Sequence, residues 1–291
     1  MRVRKSASEN MGDVFIYLSM WFVLVITLYP FIYIVSLSVS EPTYVIQQLV
    51  WLWPKGFSLN AYKMVFDNPD VWTSYYNTIY YTVVGTAINI SFTILGAYPL
   101  ARSTFFARKQ IMVFIVITMF FSGGLIPMFL LIQNLNLYNT RWAILLPSAV
   151  SAFLLIVTRT FFQSISESLH ESAKLDGAGE FTILTRIVIP LSTPIIAVLA
   201  LFYAVGHWNS YFAAMIYLTD AKLQPLSLYL VKVLVQNSDT MMEEMSHSDR
   251  SLYSLQIKYA LIIVSILPIL MIYPFLQKYF VKGVMLGSLK E

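Results

Sequence analysis

The chain has 291 residues, of which 58% are hydrophobic and only 12% charged, with no cysteine and a formal net charge of +4; its mean hydropathy is +0.68. That balance excludes an ordinary soluble globular domain, and the missing cysteines exclude disulfides, thiolate metal sites and cysteine nucleophiles while leaving the redox compartment open. The positive charge, with a pI near 9.0, comes without a basic, aromatic-rich polar surface, so it points to charged loops at a membrane and not to nucleic acid.

Windows of about 20 apolar residues predict six membrane spans. The first is "FIYLSMWFVLVITLYPFIYIVSLS" at 15–38 and the second "YYNTIYYTVVGTAINISFTILGAYPL" at 75–100. The third, 111–134, contains "FFSGGLIPMF"; the fourth, 142–163, is "WAILLPSAVSAFLLIVTRTFFQ"; the fifth and sixth lie at 187–206 and 259–280. The apolar run after "MRVRK" exceeds a signal-peptide core of about 7–15 residues and no small-x-small site follows, so span one is expected to stay as an anchor. No short-period repeat or low-complexity linker divides the chain, and 1–291 reads as one all-α, polytopic transmembrane domain. An even number of spans puts both termini on one side. With that side inside, twelve of the 19 Lys and Arg fall in inner segments, among them Arg2, Arg102, Arg108, Arg159, Lys174 and Lys278, which predicts cytoplasmic termini.

The segment between spans four and five, 164–185, is then cytoplasmic, and it is longer than the usual helix connection of about 2–8 residues. "SISESLHESAKL" predicts a short amphipathic helix with Leu169, Ala173 and Leu175 toward one face and Glu167, His170, Glu171 and Lys174 elsewhere. Asp176-Gly177 supplies a break, a second short helix begins near Gly179, and Pro190 kinks the start of span five. The residues alone leave two roles open: an interfacial helix lying on headgroups, or a contact for a partner.

Glu171, Ala173, Asp176-Gly177-Ala178, Ile187 and Pro190 resemble the "EAA" loop of ATP-binding-cassette importer permeases, E-A-A-x-x-D-G-A followed by I-x-L-P, with Ser172 in place of the first alanine and Ile189 in place of the leucine. "WPKGFSLNAYKMVF", "FSGGLIPMFLLIQNLNLYNTRWAILLPSAV", "TRTFFQSI", "GHWNSYFAAMIYL" and "KYFVKGVMLGSLKE" extend the resemblance over almost the whole chain. The family resembled is that of carbohydrate-importer permeases of the maltose-permease type, on the branch for complex oligosaccharides and polysaccharide fragments such as those of alginate or rhamnogalacturonan.

The resemblance implies a type I importer permease fold with six transmembrane helices and a cytoplasmic coupling helix, in a bacterial cytoplasmic membrane. It also implies a second permease subunit, two ATP-binding subunits, an extracytoplasmic solute-binding protein and an oligosaccharide substrate. In the coupling loop, Glu171 would pair with basic or donor groups of the ATPase, Ala173 would keep the contact face small, and Asp176, Gly177 and Pro190 would shape the bends.

No cofactor and no catalytic residue are expected on this chain. It has no G-x-x-x-x-G-K-[ST], since Gly283 and Gly287 lack the spacing and the lysine, so ATP and Mg belong to a separate subunit. His170-Glu171 does not open H-E-x-x-H, because Lys174 stands at the second histidine position. His170, His207 and His247 are too scattered for a metal set.

Charge is nearly absent from the span cores, which disfavours the rival function, a stand-alone secondary transporter or channel with an ion pathway. Polar groups at membrane depth either bond neighbouring helices or line a path for a neutral solute; they include Asn77, Asn89, Ser91, Ser122 and His207. Asn89, Trp208, Asn209 and Tyr211 are the substrate-path candidates: sugars take aromatic faces and amides, and the resemblance implies an exposed or cavity-lining W-N pair at "HWNSYF". Gly123-Gly124 and Pro127 are placed to interrupt span three. The outer loops, about 35 and about 50 residues, far exceed ordinary connections. "SDTMMEEMSHSD" in the longer one either docks a solute-binding protein or is disordered.

Overall fold

The computed structural model describes residues 7–235 and 253–271. Arg2, the "SDTMMEEMSHSD" segment, His247, the sixth predicted span beyond Met271, Lys278 and the C-terminal "KYFVKGVMLGSLKE" lie outside the described residues.

Helices dominate. They are α1 (Ala7–Ser38), α2 (Pro42–Ile46), α3 (Asn60–Asp67), α4 (Pro69–Ala101), α5 (Arg108–Phe120), α6 (Leu125–Asn134), α7 (Trp142–Leu145) and α8 (Ala152–Gln163). After them come α9 (Glu167–Leu175), α10 (Glu180–Ile183), a π-helical turn over Leu184–Val188, α11 (Ile189–Leu191), α12 (Thr193–Trp208), α13 (Phe212–Tyr217), α14 (Leu226–Val235) and α15 (Tyr253–Met271). Among the described residues there is no strand, only an isolated bridge between Ser40 and Phe57.

Among the described residues three helices are long and apolar enough to cross a membrane: Met11–Ser38 within α1, α4, and α15. Two further candidates are broken. α5 and α6 meet at 114°, and the helix ending at Leu191 meets α12 at 81°. The first break falls at Phe121–Gly124, where Gly124 takes φ +84°, a conformation glycine adopts without steric cost. The fourth apolar segment is not one helix: the backbone leaves the helix between Leu145 and Ala152, around Pro147, which has no N–H to give to the preceding turn.

The described residues divide into two compact units. One holds those up to Pro69 and Lys232–Ile266. Its core is Leu37, Val45 and Val50, with Tyr33 and Tyr259 packed on it. Gln256 of α15 is fully buried and donates to Ser40 O at 2.6 Å, while the Ser38 hydroxyl lies 2.8 Å from Tyr62 Oη. Two backbone bonds, Ser58 N to Val39 O and Glu41 N to Lys55 O, fold the segment 39–58 back on itself.

The other unit holds Asp70–Val231 and the described residues from Leu267. Its spine is α4. Asn77, Tyr81, Gly85, Asn89, Thr93 and Ala97 recur every fourth residue and are all buried, because a spacing of four stays on one face of a helix. One end of this stripe packs against Ile144, Leu145, Ala214 and Leu228, the other against Leu155, Ala173, Ile183 and Val188.

Candidate functional site

Two places in the second unit carry polar chemistry: the 164–190 segment and the seam along the buried face of α4.

In the first, α9 ends in a Schellman motif. Ala178 N donates to Ala173 O at 2.9 Å and Gly177 N to Lys174 O at 3.0 Å, with Gly177 at φ +80°. A Cβ on Gly177 would meet nothing within 4 Å, so the glycine is required by backbone conformation and not by space. Asp176, the residue before it, is exposed at the helix end. The turn is braced from outside: Lys174 Nζ lies 2.7 Å from Glu180 Oε1, and Glu180 Oε2 accepts the Tyr98 hydroxyl at 2.6 Å. Sequence reasoning missed Tyr98 and Glu180, because neither lies in the motif that drew attention to this loop.

The buried face of α9 differs from the expected one. His170 and Ala173, three residues apart, point into the protein, whereas Leu169 is 43% and Leu175 89% exposed. The His170 ring stacks on Tyr98, centroids 6.3 Å apart, and that flat partner accommodates an imidazole beside the small Ala173. Burial, reinforced by the nearby Arg102 charge, pulls the His170 pKa below its ordinary value. Glu171 and Ser172 face outward, and Glu171 makes no hydrogen bond or ion pair among the described residues. Pro190 is exposed in α11, directly after the π turn, and the 81° bend is centred two residues later at Ser192, not at the proline. The wide π turn takes up the mismatch that the missing proline N–H creates, so the chain turns only after it.

The second place is a ladder of side chains. Asn89 Oδ1 accepts His207 Nε2 at 2.6 Å, and Asn89 Nδ2 donates to Ser148 O. One turn on, Thr93 Oγ1 lies 2.7 Å from Tyr203 Oη, which also accepts Ser151 N at 3.2 Å. One turn back, Gly85 leaves room for the imidazole. Farther along α4, Asn77 donates to Lys222 O at 2.7 Å and accepts Arg141 Nη2 at 3.0 Å, with the guanidinium 4.3 Å from the Tyr80 ring centroid. The ladder supplies partners to the open backbone of 146–151, pairing the Ser148 carbonyl and the Ser151 amide that no helix satisfies.

A cavity of about 490 Å³ opens beside it, lined by Ser148, Ser151, Tyr203, Gly206, His207 and Ser210 among others. Of the substrate-path candidates, Asn89 touches this cavity only through its partners Ser148 and His207. Trp208, Asn209 and Tyr211 do not line it: Trp208 meets Tyr75 edge-on at 6.2 Å, Asn209 donates to Val205 O, and Tyr211 is 41% exposed. The signal for Ser148, Ser151 and Tyr203 was the period of four in α4, which shows which face is buried but not what covers it.

Neither place resembles a catalytic constellation; both are built for helix packing and for an exposed, rigidly braced turn. Residues 90–286, which include the loop and the Tyr203 and His207 side of the ladder, match the family described as binding-protein-dependent transport system inner membrane component. The chain belongs to this family. Protein LplC of Bacillus subtilis (strain 168) is 42% identical over 91% of this chain and 90% of its own length. The polygalacturonan/rhamnogalacturonan transport system permease protein YtcP of the same organism is 40% identical over 97% of this chain and 99% of its own. A crystal structure of a bacterial ABC transporter involved in the import of the acidic polysaccharide alginate contains a chain that superposes with TM-score 0.88 at 34% identity, covering 96% of this chain and 99% of that one. As a member of the family, the chain is a permease component of an importer and not an enzyme, with ATP hydrolysis assigned to a separate subunit.

Proposed function

We propose that this chain forms half of the translocation pathway of an ATP-driven importer for oligosaccharides, with uronate-bearing polysaccharide fragments as the substrate class. It crosses the inner membrane six times with both termini cytoplasmic: α1, α4, the α5–α6 pair, α7–α8, the bent α12 segment and α15 supply the crossings. It works with a second permease subunit, two ATP-binding subunits holding ATP and Mg, and an extracytoplasmic solute-binding protein that delivers the sugar. Polygalacturonan, rhamnogalacturonan and alginate, named for its relatives, support the acidic class.

One observation carries the coupling assignment. α9 turns its buried face, His170 and Ala173, into the protein and leaves Glu171, Leu175 and, beyond the turn, Phe181 exposed. An acid beside two large apolar groups on a braced turn is a surface made to be covered, in which a partner cation offsets the burial of the carboxylate. Closure of the ATPase pair would push on this turn. Because the turn is tied to Tyr98 of α4 through Glu180, the push passes to the ladder against α12, rocking the spans and opening the cavity alternately to each side. The cavity beside His207 contributes this subunit's share of the sugar path.

The test is purification of the tagged chain from its native membrane in detergent, followed by ATPase assays of what comes with it. Co-purified activity lost or uncoupled in Glu171→Lys and Gly177→Asp supports the assignment. Solute uptake into liposomes by the chain alone, without ATP, would overturn it in favour of a secondary transporter.

A further inference from the structure

A second cavity, of about 370 Å³, lies at the C-terminal end of α4, between the start of α5, the end of α8 and the start of α9. Arg102, Arg108 and His170 line it, with Glu167 as the one acid. Glu167 is occupied, accepting the Ser103 hydroxyl at 2.5 Å. Arg108 is turned toward Arg102 by a bond to its carbonyl oxygen at 3.3 Å. The Arg102 guanidinium has no acceptor among the described residues, and its Nε is buried without a partner. Two arginines converging on a polar hollow with one engaged carboxylate leave a net positive charge and unsatisfied donors, which is the chemistry of a bidentate oxyanion site.

The position selects among oxyanions. α4 is a membrane-spanning candidate that ends at Ala101, so the hollow sits at the membrane–water boundary, at the depth of phospholipid phosphates. Between the two arginines Phe106 is 89% exposed, an apolar anchor suited to the acyl border and of no use to a freely dissolved ion. We propose that this hollow takes the phosphate of an anionic phospholipid, with Arg102 and Arg108 as the ligating pair. Bound there, the lipid would wedge between the end of α4 and α9, against the stacked Tyr98 and His170 rings that line the hollow. Lipid composition would thereby tune the seating of α9.

The probe is phosphatidylglycerol added to the purified full chain in neutral detergent, read by native mass spectrometry, with phosphatidylcholine and inorganic phosphate in parallel. Wild type should retain one phosphatidylglycerol in preference to phosphatidylcholine. Arg102→Gln should weaken that retention about tenfold, the loss expected for one charge-assisted hydrogen bond, while Arg102→Lys keeps part of it and Lys63→Gln all of it. Equal melting temperatures of Arg102→Gln and wild type before lipid is added establish that the variant is folded; if it is not, Arg108→Gln replaces it. Equal retention by wild type and variant overturns the proposal. Protection by inorganic phosphate without lipid retention overturns the lipid source, and release of a co-purifying ATPase with lipid binding intact shows that an acidic protein surface fills the hollow instead.

Discussion

Asn89 of α4 and His207 of α12 meet side chain to side chain, Oδ1 to Nε2 at 2.6 Å, in space that exists because residue 85 is glycine. A methyl group at position 85 would stand 2.6 Å from His207 Cε1 and closer still to Nε2. Gly85→Ala therefore forces the imidazole off Asn89 and should destabilise the protein by about 1–3 kcal/mol. Asn89→Ala, which strands the histidine and the Ser148 carbonyl, should cost a similar amount. Because one shared bond is lost in both, the double variant should fall short of their sum, as thermal unfolding in detergent will show.

At Gly177 the cost is conformational. Gly177→Ala must hold an L residue at φ +80° and should lose about 1–2 kcal/mol, whereas Gly177→Asn, better suited to that region, should lose less. With nothing within 4 Å of the missing Cβ, the alanine methyl meets no neighbour, and the loss is backbone strain alone. Hydrogen exchange of the amides of 173–180 measures the fraying directly.

The brace across that turn is asymmetric. Lys174 and Glu180 are 46% and 52% exposed, so their ion pair is screened, and Lys174→Ala should cost no more than about 0.5 kcal/mol. Glu180→Ala also leaves the hydroxyl of the buried Tyr98 unpaired and should cost about 1–2 kcal/mol. Tyr98→Phe in the Glu180→Ala background should recover part of that loss in the melting temperature.

His170 makes the seating of α9 sensitive to acid. Its pKa is lowered in the folded protein, first by burial and then by Arg102, with Glu180 and Glu167 opposing. The unfolded loop therefore binds the proton more readily. The stabilisation from a neutral His170 is complete above the unfolded value, about 6.5, and is lost as pH falls below it toward the lowered folded value. Proteolytic cleavage within 164–190 should accelerate between pH 7.5 and pH 5.5 in wild type, and His170→Phe should flatten that dependence.

The all-helical membrane class followed from composition and apolar runs, and the loop at 164–185 from its length and its glycine, with Pro190 just beyond it. These properties are local: span length answers to bilayer thickness, and the turn at Gly177 to one residue's backbone freedom. Burial within a span was far less legible. Leu175 looked apolar enough to be buried and is 89% exposed, while the titratable His170 is buried. A chain so uniformly apolar offers little contrast between lipid-facing and protein-facing sides. Only the four-residue recurrence of Asn77, Tyr81, Gly85, Asn89, Thr93 and Ala97 marks a face, through polar and small groups that lipid would penalise.

What the sequence determined by itself is the membrane setting, the resemblance to importer permeases and the chemistry of the exposed turn. The tertiary structure decided the pairings: Asn89 with His207, Thr93 with Tyr203, and Glu180 with both Tyr98 and Lys174. Apart from the local Lys174–Glu180 pair, those contacts join residues 82 to 118 positions apart, so no local pattern selects the partner. In an apolar surround, where water offers no substitute bond, a buried polar group gains most from a partner within the protein, and only the packed chain specifies which one.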